Sequence, residues 1–406
     1  MSELQEIYIV SGCRTAVGDF GGTLKDVAPS TLGKIVIEEA IKRADIASGD
    51  VQHVILGQAI PSQPRDSYIA RIAAVEAGVP IEAPALTVNR LCASGMQAIV
   101  SGAQLIALGE AGVVVAGGAE TMSQSPYVQT TSRWGHKMGD MKVIDAMLGV
   151  LSDPFENYHM GITAENVATR YQISRADQDA LAVESHLRAA KAQAEGRFDA
   201  QIVPVEIKSR KGAVEFKVDE HVRPGTTLDD MAKLRPAFDR ESGSVTAGNA
   251  SGINDGAAAL VLASGEAVQA KGLKPLARIV GWGYAGVDPA IMGIGPVKAV
   301  PIALKRAGLS LDDIDVIEAN EAFASQSCAV AQELGLDPAK TNPNGSGISL
   351  GHPVGASGAI ITVKLLYELQ RIGGRYGLAT MCVGGGQGIA IVIENLSGAG
   401  QAEKAA

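Results

Sequence analysis

The chain has 406 residues, of which 46% are hydrophobic, 19% charged and only 4% aromatic, with 48 glycines and a formal net charge of −9. This length allows two or three domains, each with its own core, and the apolar fraction leaves little room for extended disorder, which argues against a single small binding module. A net negative surface disfavours nonspecific nucleic-acid binding, and an anionic cofactor needs a local basic patch. Cys13, Cys92, Cys328 and Cys382 are widely spaced, with no CxxC pair and no Cys/His zinc spacing. They read as reduced thiols of a cytoplasmic protein, with no metal expected. No secretory leader or membrane span is expected. The ending SGAGQAEKAA reads as a frayed tail without a peroxisomal signal.

In chain order, IYIVSG has strand character and LGKIVIEEAIKRA places Ile35, Ile37, Ala40 and Ile41 at helical spacing. HVILGQAI reads as a buried strand. The run after TVNRL puts Met96, Ile99, Val100, Ala103 and Ile106 on one helical face, and GVVVAGG follows as a short β-branched run. Strands alternating with helices predict an α/β fold with parallel pairing.

The cassette returns later. Ala93-Ser94-Gly95, a helix and Gly112-Val-Val-Val have counterparts in Ala356-Ser357-Gly358, a helix and Gly377-Leu-Ala-Thr-Met-Cys-Val; IYIVSG likewise matches LARIVGWG. An ordered series of this kind predicts duplicated halves. From about 122 to 250 the sequence turns polar and irregular, with amphipathic helices around AENVATRYQ and ADQDALAVESHLRAAKAQAEG, and reads as a large insertion over the first half. The predicted division is 1–121 (completed by about 252–273), an inserted loop domain 122–251, a second half 274–396 and a flexible tail 397–406.

Free cysteine is usually buried and inert, so Cys92 is read either as a packed core thiol or as a nucleophile. Its place just before a helix brings it near exposed N–H groups and a positive dipole end, which favour thiolate. His352, held between Gly351 and Pro353 in the loop before the repeated helix, is the candidate base. Cys382 ends the next apolar strand at a glycine turn. Duplicated halves bring Cys92, His352 and Cys382 to one interface. GGGQG is followed by the strand-like IAIVIE, so it is not a phosphate loop, which must feed a helix. It suits backbone N–H groups that approach an oxyanion. In the turn after DVIEAN, Glu321 reads as a solvated charge and Asn320 as a turn residue, or Asn320 holds a water or a substrate carbonyl.

The blocks NRLCASG, GGAETM, YHMGITAEN, KLRPAF, TAGNASGINDGAAA, NEAFA, GHPVGASG and CVGGGQG, in this order, resemble the thiolases, specifically the biosynthetic acetyl-CoA acetyltransferase and bacterial β-ketothiolase group, over about residues 5–396. The resemblance implies two similar α/β halves in five αβαβα layers with a loop domain inserted in the first. It implies reversible Claisen condensation of two acetyl-CoA to acetoacetyl-CoA and CoA, extending to 3-ketovaleryl-CoA from propionyl-CoA and acetyl-CoA. Cys92 is then the acyl-carrying nucleophile, His352 its activator and an oxyanion-hole member, and Cys382 the acid/base at the α-carbon. Asn320 orients an oxyanion-hole water, and the N–H groups of Cys92 and Gly384 form the other hole. Coenzyme A and acyl-CoA enter as substrates with no permanently bound cofactor. Arg223 is implied near the adenine end and His159, Met160, Ser251 and Phe323 along the pantetheine tunnel. A homotetramer of paired dimers, with contacts around 123–143, is also implied.

For the polyanionic substrate, KSRKG and VRPG offer Lys208, Arg210, Lys211 and Arg223, although such a run is commonly a solvated face. Two departures from the family pattern stand out. Gly345-Ser346-Gly347-Ile348-Ser349 replaces Gly-Gly-Ala-Ile-Ala, with an altered wall near His352 expected, and Asp230 stands where many members carry serine. The competing readings are a degradative 3-ketoacyl-CoA thiolase, an acyl-carrier condensing enzyme (which pairs its cysteine with two histidines), a cysteine hydrolase and a noncatalytic acyl-CoA or lipid carrier.

Overall fold

A computed structural model of the chain describes residues 5–209 and 212–397. The first half runs β1 (Ile7–Arg14), α1 (Pro29–Arg43), β2 (His53–Gly57), α2 (Ile69–Glu76), β3 (Ala85–Val88), α3 (Ser94–Ala107) and β4 (Val113–Thr121). A long segment follows, carrying α4 (Met160–Tyr171), α5 (Arg175–Ala194) and the hairpin Val205–Ser209 with Gly212–Phe216. The chain then returns as β5 (Asn254–Ser264). The second half comprises β6 (Ala277–Gly286), α6 (Gly295–Ala307), β7 (Val316–Ala319), α7 (Ala324–Leu334), α8 (Val354–Ile372), β8 (Tyr376–Val383) and β9 (Gln387–Asn395).

Strand order along the sheet is β7-β8-β9-β6-β1-β5-β4-β2-β3. Without the edge strand β3, the first half reads β2-β4-β5-β1 outward to inward and the second β7-β8-β9-β6, the same topology twice. The halves join where Tyr8 and Ile9 of β1 pair antiparallel with Arg278 and Ala277 of β6. The long segment lies between β4 and β5, where the second half has only the turn Gly384–Gly386.

The parallel pairing expected from alternating strands and helices is present in part, within a mixed sheet. β2 pairs parallel with β3 and β4, and β7 with β8, whereas β4–β5, β5–β1, β6–β9 and β8–β9 are antiparallel. A three-residue turn between β8 and β9 is too short for the crossover that a parallel pair needs.

Residue alternation explains the layering. In β5, Ala257, Ala259, Val261 and Ala263 join an outer core with Leu32, Val36 and Ile37 of α1. Its intervening Ala258, Leu260 and Leu262 join a central core with Met96 and Ile99 of α3 and Ile360 and Val363 of α8. β9 does the same: Ile389, Ile391 and Ile393 face the central core, and Ala390 and Val392 an outer one with Ala299, Val300 and Ala303 of α6. Strands buried on both faces read as continuous apolar runs, as these do. The central helices α3 and α8 touch at their glycines. A Cβ on Gly95 would lie 2.8 Å from Ala359 N, and one on Gly358 only 2.5 Å from Met96 N. This reciprocal contact sets the two helix N-terminal ends side by side.

Candidate active site

Cys92 sits in a one-turn 3-10 segment, Leu91–Ala93, that leads into α3. The preceding Leu91 has φ of 48°, a left-handed conformation costly for a branched side chain. It is held by its N–H donating to Asn89 Oδ1 (2.9 Å), while Ser94 Oγ accepts from Arg90 N (2.9 Å) and donates to Leu91 O (2.6 Å). The turn aims the sulfur inward, where the backbone N–H groups of Gly384 and of Cys92 itself both reach it. The residue keeps some exposed surface, but its surroundings exclude enough water that burial pushes the thiol up to about 11. The expectation that the helix end favours thiolate is thus overturned: desolvation outweighs the two N–H groups, and the ground state is the neutral thiol.

His352 is buried, and burial lowers its imidazole to about 4, so the ring is neutral near neutral pH. Its Nδ1 lies 2.6 Å from Ser357 Oγ, and that hydroxyl donates to Pro353 O at 2.8 Å. With the hydroxyl proton committed there, Nδ1 carries the ring hydrogen and Nε2 the lone pair. Asn320 Nδ2, a donor, stands 3.5 Å from Nε2. The loop is fixed by His352 N donating to Asn254 Oδ1 (2.9 Å), and a Cβ on Gly351 (φ 99°) would collide with the same asparagine at 2.5 Å.

Cys382 ends β8. It is fully buried, and burial, then the neighbouring Cys92, raises its thiol above the ordinary range. Gly384–Gly386 turn the chain back into β9 with φ of 76° at Gly385 and 83° at Gly386, so the run is a hairpin, as its following strand predicts. Gly384 is tight as well, since a Cβ there would meet Leu91 Cδ1 at 3.1 Å and Met160 Cε at 3.2 Å. The structure therefore brings Cys92, Gly384 and Cys382 together, and joins Asn320 to His352.

Of the residues expected along a substrate tunnel, Met160 and Phe323 pack with Cys382. His159 caps α4 by accepting from Gly161 N (3.0 Å) and stacks on Phe238 at 4.6 Å, which in turn meets Phe323 edge-on. Ser251 is partly buried and donates its N–H to Ala322 O at 2.9 Å. Arg223 is exposed and lines a cleft of about 560 Å³ with His186, His221, Asp230, Met231 and Ala250. Ala250 also borders the Cys382 cluster, so cleft and thiols are neighbours. Arg223 N donates to His186 Nδ1 (3.2 Å), and burial holds His186 near 4, mostly neutral. Lys208 is on the exposed hairpin, paired with Glu206 at 3.7 Å, and does not line this cleft. Arg210 and Lys211 lie outside the described residues.

Family models for the thiolase N-terminal domain and the thiolase C-terminal domain match residues 7–266 and 273–395. The chain is 62% identical to beta-ketothiolase BktB of Cupriavidus necator over 97% of its own length and all of that protein. The crystal structure of the Bacillus anthracis acetyl-CoA acetyltransferase superposes with a TM-score of 0.95 at 49% identity, covering 98% of this chain and 100% of the other. Human mitochondrial 3-ketoacyl-CoA thiolase in complex with CoA superposes at 0.94 with 45% identity, covering 97% and 98%. The chain belongs to the thiolase family. It is an acyltransferase with the thiolase fold.

In this thiolase, several groups that hold the site are not singled out by sequence reasoning. Glu120 is fully buried and accepts N–H bonds from Ala59 (2.8 Å) and Ile60 (3.2 Å) in the first half and from Gly355 (2.9 Å) at the start of α8. One carboxyl thereby ties the two halves beside Cys92, and burial raises it to about 8. Its position in the GGAETM block was the available signal. Ser357 and Asn254 likewise sit inside recognised blocks, but their partners are distant or fixed only by the loop. Glu321, read as a solvated charge, is buried: it accepts from Ser185 Oγ (2.6 Å) and Asn342 Nδ2 (3.0 Å). Of the two departures, Ser346 and Ser349 are buried in this same network, with Ser349 Oγ 2.8 Å from Ser185 Oγ and Ser346 Oγ donating to Ala319 O at 3.3 Å. Asp230 is exposed at the cleft and pairs with Lys233 at 3.2 Å.

Proposed function

We propose that this thiolase catalyses the reversible condensation of two acetyl-CoA to acetoacetyl-CoA and CoA, and of propionyl-CoA with acetyl-CoA to 3-ketovaleryl-CoA, through an acyl group carried on Cys92. His352 Nε2 accepts the Cys92 proton as the sulfur attacks the thioester carbonyl, and the neighbouring Cys382 gives its proton to the departing CoA sulfur. The Cys382 thiolate so formed takes a proton from the α-carbon of the second acetyl-CoA, that carbon attacks the Cys92 thioester, and the Cys92 sulfur leaves and recovers its proton from His352. The Cys92 and Gly384 N–H groups stabilise the oxyanion on the acyl group, and His352, now carrying the Cys92 proton on Nε2, stabilises the enolate oxygen together with a water oriented by Asn320. Such preorganised donors are worth roughly 3 to 4 kcal/mol each. Because Cys92 and Cys382 rest as neutral thiols, both need proton transfer coupled to bonding, and a neutral imidazole with a free Nε2 supplies one base.

The observation that carries this reading is the convergence of two backbone N–H groups and a second thiol on the Cys92 sulfur. The likeness to BktB supports the short-chain range. CoA is proposed to reach the thiols from the cleft of Arg223, with His159, Met160, Ser251 and Phe323 along its pantetheine arm. We further assign 122–251 as a loop domain between the completed halves, and infer a cytoplasmic homotetramer. Exposed Tyr127 (70%), Trp134 (88%) and Met138 (90%) support contacts around 123–143. Among the described residues no helix is long and apolar enough to cross a membrane.

Intact-protein mass spectrometry after acid quench with acetyl-CoA tests the carrier. Wild type is expected to gain one acetyl group and Cys92→Ser none in the same time; an equal adduct on the variant overturns the assignment. Thiolysis rates on short against long 3-ketoacyl-CoA test the chain length.

A further inference from the structure

Behind the pair Asn320 and His352 lies a second link between the same two elements. Glu318 lies on β7, and Asn320 follows two residues later, just past the strand's end, where its N–H donates to Thr380 O of β8 at 2.9 Å. Lys364 follows Ser357 by seven residues along α8, close to two full turns, so both lie on one face of the helix. At the upper level Ser357 holds His352, which meets Asn320. At the lower level Lys364 Nζ donates to Glu318 Oε2 at 2.8 Å and to Gly345 O at 2.6 Å. Both charged side chains are buried, at 2% and 0% exposure. A cavity of about 10 Å³ between the levels is lined by Asn320, Ser346, Gly351, Ser357, Ile361 and Lys364.

Gly345, with φ of 72°, opens the segment that runs to His352. Two residues on, a Cβ at Gly347 would stand 2.9 Å from Asn320 Oδ1, so this backbone packs directly on the asparagine amide. Lys364 therefore fixes three things at once: the β7-to-α8 spacing, the start of the His352 loop and the wall behind Asn320. A buried ion pair is a poor source of stability, since apolar residues of similar volume serve as well, and its best-attested use is to enforce one geometry.

We propose that Lys364, paired with Glu318, is a positioning residue that sets Asn320 and His352 at their working separation. The inference rests on the roles given above to those two residues. It predicts that neutralising the pair spares the fold but loosens the site, and a misplacement near 1 Å costs up to about a hundredfold.

The test uses the full chain as K364M and as the charge-free double variant K364M/E318Q, with His352→Ala in parallel. The folded double variant is expected to show a condensation kcat lowered about tenfold, an acetyl-CoA KM within about twofold of wild type, and equally slowed iodoacetamide alkylation of Cys92. A purely structural pair would lower the melting temperature without moving the kcat of the folded fraction. Wild-type kcat in the folded double variant overturns the proposal, as does failure of both variants to fold, which would make the pair part of the core alone. If His352→Ala turns over like wild type, it is the reading of the site that fails instead.

Discussion

The ends of α3 and α8 are the same piece of architecture put to two uses. Each carries an Ala-Ser-Gly run at or just inside its N-terminal turn, and the glycines pack reciprocally on the other helix. In the first copy the serine closes its own turn, accepting from Arg90 N and donating to Leu91 O, and the strained Leu91 presents Cys92. In the second the equivalent serine holds a histidine ring. The β-strand pair differs in the same way: one connection grows into the long segment 122–253, the other shrinks to three glycines whose first N–H reaches the Cys92 sulfur. Duplication supplies the frame, and divergence within a few residues of it gives each half a different reactive group.

The comparison breaks most severely at the thiols. Cys92→Ser is expected to abolish acyl transfer, whereas Cys382→Ser should still accept an acetyl group and lose carbon–carbon bond formation by roughly 10²–10⁴-fold, the usual worth of a general acid or base. Acid-quench mass spectrometry read beside acetoacetyl-CoA formation separates the two, and equal loss of both steps would leave Cys382 without a distinct role.

Next in size is the helix contact. Gly358→Ala gains about 1 kcal/mol of helix propensity but places a methyl 2.5 Å from a backbone nitrogen, where overpacking costs about 3 kcal/mol or more. A net loss near 2 kcal/mol is expected, larger than for Gly95→Ala, whose methyl would meet Ala359 N at 2.8 Å. Urea midpoints of the two variants rank them, and the opposite order would mean that the halves yield unequally at this contact.

How far the site was legible follows from what each feature depends on. Alternation in β5 and β9 and the face of α3 are local patterns, so elements and duplication could be read from residue order. Cys92, His352 and Cys382 stood out because each sits at an element end close to glycine: Gly95 three residues after Cys92, Gly351 just before His352 and Gly384 two residues after Cys382. Burial depends on residues remote in sequence, and there the reading failed. Nothing near Glu321 reveals that Ser185, 136 residues away, encloses it, and nothing near Glu120 announces Gly355, 235 residues on. The same gap misled the Cys92 reading, where a local helix end was weighed without the desolvation that outranks it. Strand direction also escaped in part, since it depends on connection length at a turn whose partner strand must first be known.

Ser357→Ala probes the second use of the shared serine. It leaves Nδ1–H without its acceptor, a loss of about 1 kcal/mol, and frees the ring to change tautomer. We expect kcat to fall about tenfold with KM little changed. The pH dependence sharpens this. Burial, not Ser357, holds His352 near 4. A histidine depressed in the fold contributes stability that is complete above its unfolded value near 6.5 and is lost as pH falls through 4. The acid limb of Cys92 acylation assigned to His352 should therefore lie near 4 in wild type and remain well below 6.5 in the variant. A limb at 6.5 in either would show a solvated ring and remove His352 from the enclosed site.

The smallest effect belongs to the long segment, where Arg223 is exposed and a single charge is screened by salt. Arg223→Ala should raise the CoA KM about threefold to tenfold and leave kcat in place, because an interaction with the distant end of the substrate binds ground and transition states alike. The increase should shrink as ionic strength rises. An unchanged KM at low salt would remove Arg223 from the CoA path. A fall in kcat instead would mean that the segment 122–253, which has no counterpart in the second half, transmits its order to the thiols.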